Sequence, residues 1–261
     1  MSSSPRPRLG TAAFTLIELA VALLVIAIIA SGLALPLAAQ LQARRAEEVR
    51  RQLEDAREAL LGFAAAHARL PCPASAASRG EESFAAGGDA TNGNCSNFYD
   101  GYLPAAALGL APLDAQGYLR DPWMTEKNRV RYAVFGGGTA VNGVVNALTR
   151  ANGMQAATLA GLGAAPHYIF ICSTGAMASG SGCGPAANQL TFRAAFVLLS
   201  LGANANDVPA PGGDEARNLA GDPVFVHHEA TVGGNGGFDD VIQWVPVHLV
   251  VHRLLTAGRL P

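Results

Sequence analysis

Between Leu19 and Ala43 the chain carries 25 consecutive residues without a charged side chain. A helix rising about 1.5 Å per residue would span the roughly 30 Å core of a bilayer with a run of that length. A secretory signal would end its apolar stretch at a small-residue cleavage site. Here the run passes straight into Arg44-Arg45-Ala46-Glu47-Glu48 with no turn signal. A retained membrane-spanning helix is therefore expected.

The helix is expected to continue to about Ala68. Ala46, Val49, Leu53, Ala56, Leu60, Phe63 and His67 recur in alternating steps of three and four, which places them on one stripe. Charges cover the other faces. Two prolines in Leu70-Pro71-Cys72-Pro73 then stop the helix.

Ahead of the apolar run stands Phe14-Thr15-Leu16-Ile17-Glu18-Leu19, preceded by a polar leader with Arg6 and Arg8. A carboxylate at the mouth of an apolar helix is costly without a partner. Cleavage before Phe14 would create an α-amine four residues from Glu18. In a stack of such helices, Glu18 of one copy would neutralise the Phe14 amine of its neighbour and set the axial register.

These residues resemble the processing motif of type IV prepilins and type II secretion pseudopilins. The resemblance implies that prepilin peptidase cuts between Ala13 and Phe14 and that the Phe14 amine is methylated. It implies that Glu18 is needed for assembly. Ala13 departs from the usual glycine of the family, and Pro36 lies one residue beyond the usual proline. The family topology places the N-terminus in the cytoplasm and the head outside. Later residues, among them Gly101-Tyr102-Leu103-Pro104, Asp121-Pro122-Trp123 and Asp239-Asp240-Val241, are similar to one group of bacterial pilin-like proteins.

Four cysteines, Cys72, Cys95, Cys172 and Cys183, form no CxxC pair, which argues against a zinc ribbon or a thioredoxin motif. An even number beyond a membrane suggests disulfides in an oxidising compartment. Three pairings are possible. Cys72–Cys95 and Cys172–Cys183 are favoured because each brackets a loop rich in Gly and Ser. The net charge of −2 offers no basic field for nucleic acid.

Residues 74–128 read as an irregular connection. Strands are expected at 129–135, 167–172 and 194–201, with shorter ones at Phe225-Val226 and 241–245. A helix is expected near 140–151, and a closing helix over 247–257 with Gly258 as its stop.

His248 and His252 share a helical face, and His227, His228 and Glu229 complete a candidate zinc set. HxxxH without the glutamate of HExxH is a weak motif and no third ligand is fixed by spacing, so surface or core histidines are the favoured reading. In some pseudopilins a C-terminal loop binds calcium. Asp239 and Asp240 end a Gly-rich loop and would be the corresponding oxygen ligands, but the spacing is not that of an EF-hand and a structural turn with capping of backbone amides is the favoured reading. Gly136-Gly137-Gly138 lacks a phosphate-binding context, and Ser179-Gly180-Ser181-Gly182 lacks the order of a hydrolase elbow. Trp123 and Trp244 read as core anchors. No catalytic set and no obligatory cofactor emerge.

The expected fold is α+β and pilin-like. A long N-terminal helix, with a membrane-spanning half and an amphipathic half, packs on an antiparallel sheet with disulfide loops. The divisions are leader 1–13, assembly helix 14–43, amphipathic helix 44–69 and head 70–261. The expected role is a minor pilin or pseudopilin, placed first in the bacterial inner membrane as a single-pass protein and then in a pilus or pseudopilus. Prepilin peptidase, other pilins, an inner-membrane assembly platform and membrane lipid are the expected partners. A tip subunit binding through loops 74–128 and 203–237 is the alternative, and a membrane-tethered enzyme a third reading.

Overall fold

The computed structural model describes residues 15–123, 128–207, 213–231 and 237–260; the side chains of 30–39 lie outside that description. The chain divides into two compact units, Met1–Arg44 and Arg45–Pro261. Helix α1 (Leu16–His67) contributes residues to both.

In the first unit, one expectation is overturned. Among the described residues no helix is long and apolar enough to cross a membrane. This corrects both the membrane-spanning half of the expected fold and the single-pass inner-membrane location drawn from it. From Leu16 to Ile29 the described side chains are apolar and exposed apart from Glu18, whose carboxylate is costly inside a bilayer core. The leader, Ala13 and Phe14 lie outside the described residues, as does the side chain of Pro36, through whose position α1 remains helical.

In the second unit, α1 buries Val49, Leu53, Ala56, Leu60 and Ala64. The stripe follows the expected positions as far as Leu60 and then shifts. Phe63 is half-buried and His67 exposed, because a straight helix repeats every 3.6 residues and drifts from a 3.5-residue pattern. Those two rings stack on one another instead, 4.1 Å apart.

A mixed sheet shares one hydrophobic core with this stripe. Its strands are β1 (Gly101–Tyr102), β2 (Arg131–Val134), β5 (Ile169–Cys172), β6 (Gln189–Ser200), β7 (Val224–Val226) and β8 (Val241–Pro246). The order is β1-β2-β6-β5-β7, with β8 also on β6. The long β6 is the spine. Its first half pairs with β5, and its second half lies between β2 and β8. Residues 194–200 are all buried, as expected of a strand covered on both faces.

The expectation of an antiparallel sheet is also corrected, since β5 and β7 run parallel. The chain turns back after β5 to form β6 and turns again through α4 (Asp214–Asn218) before β7. Two reversals restore the original direction.

The helix expected near 140–151 is instead a small hairpin, β3 (Ala140–Val141) and β4 (Val144–Val145). Asn142 and Gly143 both have positive φ, 49° and 76°. That is the turn whose twist suits a two-residue hairpin, and it outweighs the helix propensity of the alanines. Short helices α2 (Gly153–Ala157) and α3 (Leu159–Ala164) follow. Helix α5 (Val247–Thr256) closes the fold before Gly258 at φ 66°.

The end of α1 is held from three sides. Ala68 takes a left-handed φ of 54° where glycine is usual. Arg259 donates to the carbonyls of Ala65 and Ala66 at 2.9 and 2.7 Å, satisfying acceptors that a helix end leaves open. Arg69 is buried and grips Glu82 through two bonds of 2.6 and 2.7 Å. Glu82 also accepts from the Cys72 amide at 2.7 Å. Cys72 is bonded to Cys95, and Cys172 to Cys183, the pairing favoured above. The fully buried Tyr132 donates to the Pro71 carbonyl at 3.2 Å, and desolvation pushes its phenol well above the ordinary range.

Arg69→Met leaves a buried carboxylate with one amide donor. It is expected to cost about 3–5 kcal/mol of stability. Glu82→Gln keeps an acceptor for the Cys72 amide and removes the charge, so it should cost less. Urea midpoints of the two variants check the order; equal shifts would show that the charge pair is not what matters.

Candidate functional site

Two regions carry the candidate chemistry. The first is the N-terminal end of α1. Thr15 and Glu18 form a reciprocal cap. The Glu18 amide donates to the Thr15 hydroxyl at 3.3 Å, and the Glu18 carboxylate accepts from the Thr15 amide at 3.4 Å and from its hydroxyl at 3.3 Å. Sequence reasoning assigned Glu18 to a neighbouring amine and missed this local partner. The signal was present as a threonine three residues before a glutamate ahead of an apolar run. Beyond the cap, ten large apolar side chains between Leu16 and Ile29 are exposed, from 47% for Val25 to 87% for Leu16.

The second region is a cleft of about 610 Å³ beside α1, in the unit Arg45–Pro261. Leu53, Trp123 and Ile242 give it an apolar floor; His227, Asp239 and Asp240 give it polar walls. Trp123 and Trp244 are half-buried against the core, and Arg45 lies 5.6 Å from the Trp123 ring centre. His227 packs edge-on against Trp244 at 5.2 Å, and burial, followed by the charge of His228, lowers its pKa.

At one end of the cleft Asp239 and Asp240 meet Glu215 of α4. One carboxylate oxygen from each lies within 4.8 Å of the others. Asp239 accepts from the amides of Ala203 and Asn204 at 2.8 and 3.2 Å, so it caps a loop as a structural role requires. Its amide in turn donates to Glu215 at 3.1 Å. Gly202, at φ 67°, leaves room for the Asp239 carboxylate where a Cβ would collide with it. Asp240 is 6% exposed and accepts from Asn218 at 2.7 Å. Three clustered carboxylates repel one another, and oxygen sets of this kind suit hard cations. Glu215 escaped sequence reasoning because α4 reaches the two aspartates only through the fold.

The candidate zinc set, which the sequence disfavoured, is not assembled among the described residues. His248 and His252 lie exposed on α5, and no group of metal-ligating residues among those described includes them or joins them to His227 and His228. His228 instead bonds to Asp214 at 2.9 Å and packs tilted against Phe238, with ring centres 3.9 Å apart. Gly136 is required by packing, since a Cβ there would strike the Phe98 ring. Ser179 and Gly182 bridge the tip of the Cys172–Cys183 loop.

No family model matches the chain, and neither a curated protein nor a solved structure does.

Burial, ahead of the repulsion from Glu215 and Asp239, pushes the Asp240 carboxyl up to about 8. Its value in an unfolded chain is near 3.9. The folded form therefore holds the proton more tightly. The stability this provides is complete below about pH 4 and is lost as pH rises toward 8. Asp240→Asn stays neutral throughout. It is expected to exceed the parent in stability by about 2–4 kcal/mol at pH 7, with the gap closing near pH 4. Thermal melts across that range check the sign.

Proposed function

We propose that the chain is a minor pilin-like subunit that assembles with other copies or related subunits through the first half of α1. The supporting observation is the exposed apolar segment Leu16–Ile29. Its large side chains point to all sides of the helix. A helix that is apolar all round requires apolar neighbours all round. One groove on one partner covers only a stripe, whereas a bundle of like helices covers every face. Burying each leucine or isoleucine contributes about 1.5–3 kcal/mol, so a modest number of contacts offsets the cost of association.

The resemblance of Phe14–Leu19 to a prepilin processing motif supports the same reading, as does the Thr15–Glu18 cap. Within one chain the cap holds the Glu18 carboxylate at the first turn of the helix, beside the place where cleavage would leave an amine. In a filament, that amine on a neighbour takes over the carboxylate and fixes how far each copy rises above the last.

N-terminal sequencing of the mature protein should begin at Phe14. Glu18→Ala should lower incorporation into sheared, sedimentable filaments at least about tenfold while the protein accumulates normally. Filaments with unchanged content of the variant, or a mature protein starting elsewhere, would remove the basis of the assignment.

A further inference from the structure

The part of α1 that faces away from the core carries charge in blocks. Glu47-Glu48 is followed by Arg50-Arg51 and then by Glu54-Asp55. All six residues are exposed. The two acidic blocks are seven residues apart and the basic block lies midway, so the sign reverses about every 5 Å along the helix. Successive blocks fall on neighbouring positions of the outer surface, because steps of three and four return to the same side.

Half of these charges are used internally. Glu47 pairs with Arg50 at 3.6 Å, and Glu54 pairs with the half-buried Arg57, which also reaches Glu58 at 2.9 Å. Gln243 also donates to Glu54. The other half, Glu48, Arg51 and Asp55, follow one another in steps of three and four and have no ion pair among the described residues. This residual stripe reads negative, positive, negative.

We propose that this stripe is an interface for a second copy of the same helix, running parallel and displaced along its axis by about three to four residues. At zero displacement every block meets its own sign. A shift of about 5 Å sets Arg50-Arg51 of one copy against Glu47-Glu48 of the next, and Glu54-Asp55 of the first against Arg50-Arg51 of the second. The pattern is complementary to itself, which makes a like partner the occupant. The parallel sense rests on the assembly reading above, which brings the Leu16–Ile29 segments of all copies together. Exposed ion pairs are individually weak, so the stripe selects a displacement more than it provides affinity.

Cross-linking of the full chain tests this. Copies carrying Leu23→Cys report association through the apolar segment. A mixture of copies carrying Glu48→Cys with copies carrying Arg51→Cys should cross-link at least about threefold faster than either variant with itself. Arg50→Glu/Arg51→Glu should weaken association about threefold or more. Mixing that variant with Glu47→Arg/Glu48→Arg should restore it. Added salt should erase the difference. If Leu23→Cys copies link but the mixed pair has no advantage, the displaced stripe is wrong and the assembly reading stands. If Leu23→Cys copies do not link at all, both fall.

Discussion

The bidentate grip of Arg69 on Glu82 is the contact on which the rest of the head depends. It lies where a long helix must end, a loop of many residues must begin, and a disulfide must form. A buried ion pair by itself is poor grounds for stability, since desolvation consumes most of its attraction. This one is completed by a third group, the Cys72 amide, and its guanidinium lies 5.1 Å from the Phe63 ring centre. It thereby fixes the direction in which the chain leaves α1. Cys72 is then brought to Cys95, and Pro71 to the hydroxyl of Tyr132. The core stripe of α1 provides the affinity for the sheet, and the grip determines where that stripe stops.

Helix α1 joins two different kinds of surface in one element. From Val49 onward its inner face is satisfied within the chain. Toward its start it shows apolar side chains on every side, and over residues 47–55 its outer face alternates in charge while Val49 and Leu53 are buried on the inner one. Hydrophobic burial is strong and indifferent to displacement, whereas alternating charge is weak and sensitive to it. On the assembly proposed above, the apolar start of α1 holds copies together and the alternating charge selects their displacement.

Much of the head was legible in the sequence where a residue's local partners decide its state. The two prolines after Leu70 end α1, short runs of aromatic and aliphatic residues bounded by turn residues give β2, β5 and β6, and the Gly- and Ser-rich loops lie between paired cysteines. What failed depended on distance or on backbone detail. The parallel β5–β7 pair follows from two reversals that periodicity does not encode. The Ala140 hairpin follows from positive φ at Asn142, which alanine-rich composition conceals. The carboxylate site was half legible: Asp239 and Asp240 are adjacent in the chain, while Glu215 joins them only because α4 packs there. For α1, the apolar run read as a bilayer span, whereas no helix among the described residues is long and apolar enough to cross a membrane.

The Arg259 contacts to Ala65 and Ala66 also bear on the order in which the protein is made. These partners are separated by 194 and 193 positions. During synthesis α1 emerges early, and its last carbonyls stay open until the chain through Arg259 has left the ribosome. The apolar stripe of α1 likewise waits for β6 and β8. Throughout that interval the inner face of α1 lacks the strands that cover it, so the element made first is the one whose packing is completed last.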